Sequence, residues 1–419
     1  MENSIQPTVA MPQARALESG QLSRRKFLGM GTAVLAIAGM TRGLLAADRN
    51  GSTPGPANAP LDAENTDAAF PPGTDAGGYP TFKYPFAFAN KRMHEGGWSR
   101  EVTVRELPIS KAMAGVNMRL TAGGVRELHW HTAGEWAIML YGTARITVID
   151  GDGKSFVADV AKNDLWYFPS GMPHSIQGLG PDGAEFLLVF DDGNFSEFGT
   201  VLLSDTMRHT PTGVLAKNFG LPASAFRNIP QKELFIFQAD VPGALAADQT
   251  AAAGALGASP LDFAFRAQDQ AVTKSTRGGE VRIVDSGKFK VSTTTAMAMV
   301  TIRPGGLREL HWHPNSDEWQ YYISGRGRMT IMASGSRART MDFQAGDVGY
   351  VEKTLGHYVE NTGDTDLVFL EMFKSSTYQD FSLSEWLAHT PPELVMAHLN
   401  IDRTTYDTIS KDKPVITPA

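Results

Sequence analysis

Residues 123–142 read GGVRELHWHTAGEWAIMLYG, and residues 305–325 repeat this stretch as GGLRELHWHPNSDEWQYYISG. The hexapeptide RELHWH is identical in the two copies, at residues 126–131 and 308–313. A string that contains a tryptophan and two histidines does not recur by chance, so it indicates a duplicated structural unit. The chain of 419 residues is therefore predicted to contain two similar domains, each with the same candidate site.

The repeated stretch places two histidines two residues apart. On a β-strand, residues i and i+2 point to the same face, so His129 and His131 should share one face. A short turn then brings Glu135 to the start of the next strand, and His174 lies in a later turn, PSGMPH. These side chains can converge only if a barrel closes the distant hairpin onto the first strand. The sequence therefore predicts two metal sites, formed by His129, His131, Glu135 and His174 in the first half and by His311, His313, Glu318 and His357 in the second.

The ligand types favour a catalytic metal. A single histidine on a strand is more often a hydrogen-bonded core residue, but four matching positions that occur twice favour metal binding. Three neutral imidazoles and one carboxylate, without a thiolate, suit Mn, Fe, Co, Ni or Zn and do not select among them. In an octahedral ion this set leaves coordination positions open, whereas a structural zinc site is closed. His209 and His389 each open a His-Thr-Pro turn and are predicted to be structural.

Composition excludes several classes of protein. The net charge is −7, from 38 basic and 45 acidic residues, and no basic block occurs in the sequence, so nucleic-acid binding is not expected. The sequence has no cysteine, which excludes disulfides and thiolate chemistry. Hydrophobic residues make up 42% of the chain, enough to fill two compact cores.

The N-terminus carries a targeting pattern. Residues 23–28 read SRRKFL, a twin-arginine string, and a mildly apolar run follows at residues 29–40. That run is too short and too weakly apolar to span a membrane, so no stable membrane anchor is expected. We predict a twin-arginine signal peptide at residues 1–47 and export to the periplasm or the exterior.

The rest of the chain reads as an all-β protein. Short alternating apolar runs are separated by glycine-containing turns, as in residues 145–149 and the DGDG turn that follows them. This pattern is typical of β-barrels. We expect a disordered linker at residues 48–78, a first barrel domain at 79–230, a crossover segment at 231–262 and a second barrel domain with a helical tail at 263–419. Helical pieces are expected at residues 204–219 and 382–399, and the aromatic stretch 79–98 is expected to pack on the outside of the first barrel.

Two motifs of a known superfamily occur in the first half, and the second half carries related copies of them. The first has the form G-x5-H-x-H-x3-E-x6-G and begins at Gly123, and the second, PSGxxH, begins at Pro169. In these motifs the chain resembles the cupin superfamily, and its two complete copies over residues 80–410 resemble the bicupins, in particular the oxalate decarboxylases. The resemblance implies an all-β fold of two tandem cupin barrels (a double-stranded β-helix, or jelly-roll) with short helical segments after each barrel.

The resemblance also implies a reaction. Oxalate decarboxylases use manganese and dioxygen to split oxalate into formate and carbon dioxide, which implies two Mn(II) ions per chain, dioxygen as co-catalyst and oxalate as substrate. Arg126 matches the arginine that pairs with the substrate carboxylate at the first metal, and Arg308 is its second-half equivalent. Glu371 matches a glutamate near the second metal, and Glu197 matches the proton-donating glutamate of a flexible lid. A homo-oligomer, either a trimer or a hexamer, is implied as well.

Periodicity and the lid sequence raise two further points. Arg126 lies three residues before His129, so strict alternation puts it on the opposite face unless the strand bulges near Gly123 and Gly124. The lid reads SEFGT at residues 196–200, with Phe-Gly where the family commonly has Asn-Ser. An oxalate oxidase that releases hydrogen peroxide is therefore the alternative function, followed by a dioxygenase or isomerase acting on another small acid. A non-enzymatic storage or binding bicupin is disfavoured because all eight ligands are present.

Overall fold

Two β-barrels account for most of the described chain. The computed structural model describes residues 58–69 and 71–419. The strands before residue 270 are β1 (Lys83–Pro85), β2 (Arg92–His94), β3 (Gly97–Val102), β4 (Ala114–Leu120), β5 (Gly124–Trp130), β6 (Glu135–Ile149), β7 (Ser155–Ala161), β8 (Asp164–Phe168), β9 (His174–Gly178), β10 (Ala184–Phe190), β11 (Val201–Leu202), β12 (Ile236–Gln238) and β13 (Ala264–Arg266). The later strands are β14 (Lys274–Thr276), β15 (Gly279–Val284), β16 (Ala296–Ile302), β17 (Leu307–Trp312), β18 (Glu318–Ser324), β19 (Arg326–Ala333), β20 (Arg337–Gln344), β21 (Asp347–Val351), β22 (Gly356–Asn361), β23 (Leu367–Phe373), β24 (Phe381–Ser382) and β25 (Ile416–Thr417). The predicted signal peptide lies outside the described residues.

The long strand β6 joins the two sheets of the first barrel. Its first part pairs with β8 and β10, and its second part pairs with β7 and β9. The strand order is β11-β5-β9-β6-β10-β4-β3-β2, with β7, β8, β12 and β13 attached beside it. Apolar side chains such as Trp136, Leu165 and Phe186 are buried in its interior. The barrel closes β9 onto β5, so His174 lies directly opposite His129, as the histidine spacing predicts.

The second barrel repeats this architecture with a glycine at its corner. One sheet has the order β1-β21-β18-β23-β16-β15-β14, and the other has the order β20-β19-β22-β17-β24 with β25 beside β17. Gly325, between β18 and β19, has a φ of +83°, a conformation that glycine adopts without strain. Tyr322 stacks on Phe343 and Phe369 in the core, with ring centroids 4.5 and 5.2 Å apart. The predicted all-β fold of two tandem barrels is confirmed.

The two barrels exchange edge strands. β1 pairs with β21 of the second barrel, while β13, which follows the crossover segment, pairs with β8 of the first. Our expectation that residues 79–98 pack on the first barrel is therefore wrong for residues 83–85, whereas β2 and β3 do belong to the first barrel. Pairing β1 with β21 satisfies the edge N–H and C=O groups of the second barrel, which local sequence patterns cannot reveal.

Part of the expected disordered linker is ordered against the second barrel. Residues 59–69 contain two short helices, α1 (Ala59–Glu64) and α2 (Thr66–Ala69). Asp75, further along, accepts hydrogen bonds from the backbone N–H and the hydroxyl of Thr340 on β20, at 3.0 and 2.7 Å. The polar composition predicts disorder because it offers no apolar face, but polar contacts with a folded barrel hold this segment. Residues 48–57 lie outside the described part.

Short helices follow each barrel and are divided by proline. They are α3 (Leu203–His209), α4 (Thr212–Phe219), α5 (Leu245–Ala253), α6 (Leu383–Ala388), α7 (Pro392–Leu399) and α8 (Arg403–Asp407). The helical pieces predicted after the barrels are present, but Pro211 and Pro391 interrupt them because proline has no N–H to continue the helix. His209 and His389 each bond a backbone carbonyl of the preceding turn, as expected of structural residues. Among the described residues, no helix is long and apolar enough to cross a membrane.

Candidate metal centres and the first-barrel active site

Four side chains in the first barrel form the first candidate metal centre. His129 lies on β5 opposite His174 on β9, His131 follows the end of β5, and Glu135 begins β6. Their ligand atoms all lie within 4.8 Å of one another, and all four residues are buried. The structure thus brings together the whole ligand set predicted for the first half.

Backbone carbonyls orient the three rings. Each Nδ1 lies between 2.6 and 2.8 Å from a backbone oxygen, and those oxygens belong to Glu127, Ala133 and Met172. Since a carbonyl oxygen only accepts hydrogen bonds, each Nδ1 carries the proton and each Nε2 keeps a lone pair for a cation. The Nε2 atoms of His131 and His174 lie 3.2 and 3.4 Å from Glu135 Oε2. The lone pairs and the carboxylate therefore converge on one point.

The electrostatics favour the metal-binding charge states of His129 and Glu135. Burial lowers the pKa of His129 far below its ordinary value, and the charge of Arg126 lowers it further. Burial alone would raise the pKa of Glu135, but the contacts with His131 and His174 outweigh it and hold that pKa well below its usual range. The Nε2 of His174 is buried without a hydrogen-bond partner among the residues described. Neutral imidazoles, an ionised carboxylate and an unsatisfied buried nitrogen fit a divalent transition metal.

The second barrel repeats the centre. His311 lies opposite His357 across β17 and β22, and the ligand atoms of His311, His313, Glu318 and His357 all lie within 4.8 Å of one another. The Nε2 atoms of His313 and His357 are 3.1 and 2.8 Å from Glu318 Oε2. The three Nε2 atoms are buried without hydrogen-bond partners in the described part of the chain. This arrangement fits a second metal of the same kind.

A β-bulge turns Arg126 towards the interior. The pairing of β5 with β9 shifts register between Arg126 and His129. Arg126 and Glu127 are both buried, whereas Leu128 is exposed, so strict alternation is broken at this point. The bulge that the sequence required is present, but it lies after Arg126 instead of at the glycine pair. The charge of Arg126 favours the ionised forms of Glu135 and Glu197, as expected for a cation beside the first centre.

Arg126 keeps most of its hydrogen-bonding capacity free. Its guanidinium donates one hydrogen bond among the described residues, from Nη1 to the backbone oxygen of Phe235 at 3.3 Å. The Cζ atom lies 4.1 Å from the centroid of the Phe235 ring, which holds the cation by its face. A guanidinium has five N–H donors in a planar fork, so Arg126 retains donors for a ligand carboxylate.

Arg308 is placed equivalently but is fully engaged. Its Nε lies 3.2 Å from Glu371 Oε1, and its Nη2 lies 2.8 Å from the Tyr378 hydroxyl and 3.1 Å from Asp380 Oδ2. Nη1 is 3.4 Å from the backbone oxygen of Val415. The structure therefore brings Arg308 and Glu371 together as a buried ion pair, in which the arginine is neutralised by protein acids.

In the second barrel, the residues just before β24 correspond to the predicted lid residues before β11. Side-chain contacts hold this second-barrel segment in place. The Nδ1 of His313 bonds the backbone oxygen of Gln379 at 2.7 Å, whereas His131 bonds its own turn. The adjacent Asp380 forms ion pairs with Arg308 and Lys413. A metal ligand and a buried arginine thus hold this segment in place.

Glu197 lies in the segment of the first barrel that is predicted to be a lid, residues 196–200, and its side chain is buried. It begins a three-residue 3-10 helix, Glu197–Gly199, and is 5% exposed, whereas the adjacent Phe198 is 70% exposed. The Ser99 hydroxyl donates to Glu197 Oε2 at 2.7 Å. Burial raises the pKa of Glu197 to about 7, although Arg126 and Ser99 counteract it. A carboxyl group with this pKa can carry a proton at mildly acid pH.

Sequence reasoning missed the residues that hold the lid and the bulge. Ser99 and Glu101 on β3 bind Glu197, the latter by accepting its backbone N–H at 3.1 Å. The buried Glu127 carboxylate accepts hydrogen bonds from Ser204 and from the backbone N–H of Phe235. The signal for Glu127 was available, because the glutamate of RELHWH is repeated in both halves. Ser99 and Glu101 carry no local signal.

Comparisons with known proteins agree with this geometry. The family model described as Cupin matches residues 87–225 and 265–407. An oxalate decarboxylase of Bacillus subtilis strain 168 is 52% identical over 370 residues, which cover 88% of this chain and 95% of that protein. A probable oxalate decarboxylase of Arthroderma benhamiae is 40% identical over 366 residues, or 86% and 89% of the two chains.

A solved structure has the same fold. It is a structure of Bacillus subtilis oxalate decarboxylase connected with a study of its Mn(II) centres, and it matches with a TM-score of 0.85. The two chains are 51% identical, and the match covers 89% of this chain and 98% of the other. The likeness thus extends over both barrels.

Proposed function

Because the chain belongs to the cupin family, as a two-domain member of the oxalate decarboxylase group, we propose that it splits oxalate into formate and carbon dioxide at its first metal centre. The observation that carries this proposal is the difference between the two arginines. Arg126 retains free donors beside one centre and has the buried acid Glu197 nearby, whereas Arg308 is neutralised by Glu371 and Asp380. The first centre can therefore accept a small dianion.

Manganese is the proposed metal at both centres. His129, His131, Glu135 and His174 would hold one Mn(II), and His311, His313, Glu318 and His357 would hold the other. A bound Mn(II) supplies Lewis acidity and one-electron redox chemistry next to the substrate. The donor set is compatible with several metals, and the Mn(II) centres of the similar solved structure support this choice. The requirement for dioxygen rests on the family resemblance.

Arg126 is proposed to bind and orient oxalate. A guanidinium fork matches a carboxylate with two parallel hydrogen bonds, so it can fix one end of the substrate. Phe235 supports the fork from its face, and the buried position strengthens the ion pair with the substrate. Oxalate binding would add a direct carboxylate partner to a buried cation that so far interacts with Glu197, Glu135 and Glu127 through their charges only.

Glu197 is proposed to deliver the proton that makes formate. Oxalate dianion and one proton yield formate and carbon dioxide, so cleavage of the carbon–carbon bond leaves a one-carbon anion that must be protonated. A carboxyl group with a pKa of about 7 is largely protonated at mildly acid pH and can donate to that carbon. Ser99 holds the carboxyl in place, and a closed lid would exclude water from the site.

Product analysis tests the proposal. Purified protein with measured manganese content is given oxalate at mildly acid pH, in air and under nitrogen. Equal amounts of formate and carbon dioxide in air, with little peroxide, are expected, together with a strong loss of rate under nitrogen. Peroxide without formate would indicate an oxalate oxidase instead. Neither product from metal-loaded protein would mean that the substrate is not oxalate.

Export and assembly are further parts of the proposal. The twin-arginine string at residues 23–28 supports export to the periplasm or the exterior. Exposed apolar side chains on the helices after the second barrel, such as Trp386 and Leu394, support a homo-oligomer. Cell fractionation, with a variant in which both arginines are replaced by lysine, and light scattering of the purified protein test these two parts.

A further inference from the structure

Besides Arg126, a second arginine lies next to the lid of the first centre. The Cζ atom of Arg92 on β2 lies 4.3 Å from the centroid of the Phe198 ring and 3.8 Å from the centroid of the Phe235 ring. Arg126 also packs on the Phe235 ring, and the Arg126 Cζ atom lies 4.1 Å from the ring centroid. Two cations and two rings thus form a continuous chain of contacts from the exposed lid residue to the buried arginine.

The other contacts of Arg92 hold it at this place. Its Nη2 forms an ion pair with Glu233 at 2.7 Å, just before Phe235 in the sequence. Its Nη1 is buried and makes no hydrogen bond among the residues that the structure describes. Aromatic faces attract a guanidinium without offering it a hydrogen-bond acceptor, which explains this unpartnered nitrogen.

Phe235 is itself held in an unusual conformation. Its φ is +55°, in the left-handed region that aromatic residues rarely adopt. The Glu127 carboxylate accepts its backbone N–H at 2.5 Å, and its carbonyl oxygen accepts hydrogen bonds from Glu127 N and Arg126 Nη1. Backbone strain of this kind persists where the surrounding structure requires it, and here it places the ring between the two arginines.

We propose that Arg92 is the latch of the lid: its guanidinium holds the Phe198 ring when Glu197 is turned inward, and Phe235 couples this closure to Arg126. The proposal rests on the function proposed above, in which Arg126 and Glu197 act on oxalate. Arg92 is a positioning residue, because it acts on the lid and on Arg126 and does not touch the substrate. The coupling is reciprocal: a ligand carboxylate on Arg126 should strengthen closure, and loss of the latch should weaken ligand binding.

The same contact should influence the choice of products. An open lid removes the proton donor and admits water and dioxygen, which favours oxidation of the one-carbon fragment over its protonation. Phe198 stands at a lid position where the oxalate decarboxylases commonly have a polar residue. In this chain the aromatic ring provides a closing contact with Arg92.

Hydrogen–deuterium exchange of the lid tests the latch without relying on turnover. The full chain, loaded with manganese, is compared with Phe198→Leu, Arg92→Gln and the double variant. The peptide that covers residues 195–202 reports the Glu197 N–H, which bonds Glu101 in the closed lid. Exchange in each single variant should be about 2- to 5-fold faster than in the unchanged protein, the range expected for one partly exposed cation–π contact. The double variant should be no faster than the single ones, because both substitutions remove the same contact.

Three matched variants separate the latch from general loosening. Phe88 is also an exposed aromatic residue of a three-residue 3-10 helix, and Phe88→Leu should leave lid exchange unchanged. Glu233→Gln removes the ion pair of Arg92 but keeps its guanidinium, so it should affect the lid less than Arg92→Gln. Phe198→Tyr keeps an aromatic face, so its lid should exchange as slowly as that of the unchanged protein. Unchanged exchange in Phe198→Leu, additive effects in the double variant, or equal effects of Glu233→Gln and Arg92→Gln would each overturn the proposal.

Product analysis of the same variants completes the test. We expect Phe198→Leu and Arg92→Gln to raise the ratio of peroxide to formate and the KM for oxalate about 2- to 5-fold, with unchanged manganese content. Unchanged KM and product ratio, despite faster lid exchange, would refute the coupling to Arg126. If the unchanged protein makes no formate while the lid exchanges as expected, the proposed function fails and the contact between Arg92 and the lid stands.

Discussion

Replacement of Glu197 by glutamine tests the proposed chemistry most directly. Glutamine has the same shape and can still accept the hydrogen bond from Ser99, but it cannot donate a proton from a carboxyl group. General acid catalysis contributes roughly 10²- to 10⁴-fold to a rate, so formate production should fall by that factor. Glu197 is not among the metal ligands, so the manganese content of the variant should be unchanged.

The pH dependence follows from the environment of Glu197. Burial raises its pKa to about 7, so the group is almost fully protonated at pH 5, and the proton-donating fraction falls about tenfold per pH unit above 7. Formate production by the unchanged protein should therefore decline as pH rises through about 7. Ser99→Ala removes a hydrogen bond that favours the ionised form, so the pKa should rise and the decline should move to higher pH.

The raised pKa of Glu197 also determines how the stability of Glu197→Gln should differ from that of the unchanged protein as pH changes. A carboxyl whose folded-state pKa is raised adds stability below its unfolded pKa, near 4.5, and loses that contribution as pH rises through the folded value near 7. Glu197→Gln, which never ionises, should therefore gain stability relative to the unchanged protein above pH 7.

Formate and peroxide are measured between pH 4 and 8, with metal content determined for each sample. The exposed Glu360→Gln is the matched control for the chemical change, and it should retain activity. Formate production by Glu197→Gln at more than about a tenth of the normal rate would refute the role of Glu197 as the acid.

Three further predictions concern stability and metal binding. Glu127→Gln should lower the free energy of unfolding by about 1–3 kcal/mol, because the buried amide leaves backbone N–H groups without an ionised acceptor; denaturant unfolding measures this, and an unchanged midpoint would contradict it. Burial alone would raise the pKa of Asp380, but Arg308 and Lys413 lower it to about 2. Asp380→Asn should therefore destabilise the protein by about 1–3 kcal/mol at pH 7. The difference in unfolding free energy between the variant and the unchanged protein should shrink as pH falls below 4. A constant difference across that range would argue against the ion pair. His129→Ala should abolish formate production and lose one manganese ion per chain, whereas His311→Ala should lose one manganese ion and retain the product ratio. Metal analysis and product analysis check both variants. Two manganese ions per chain in either variant would contradict the ligand assignment.

The two clusters of candidate metal ligands could be predicted from the sequence because the evidence is local and occurs twice. His129 and His131 share a face through the two-residue period of a strand, and the recurrence of RELHWH distinguishes ligands from core histidines. The closure of β9 onto β5 followed from the need to bring His174 to the same point. Both the barrels and their metal centres therefore follow from a short repeat.

The surroundings of the centres could not be predicted in the same way. The bulge after Arg126 changes the face of one residue, and alternation alone places that residue on the wrong side. The exchange of β1 and β13 between barrels joins segments that are far apart in sequence, so no local pattern indicates it.

The duplicated sequence by itself determined two equivalent metal centres, because ligand spacing is a property of single strands and turns. Only the tertiary structure decided how the arginines beside the two centres are partnered. Arg308 meets Glu371 and Asp380, while Arg126 meets the face of Phe235 and keeps free donors. These partners come from distant segments that the barrel brings together, and buried charges respond to the groups packed around them, not to their neighbours in sequence.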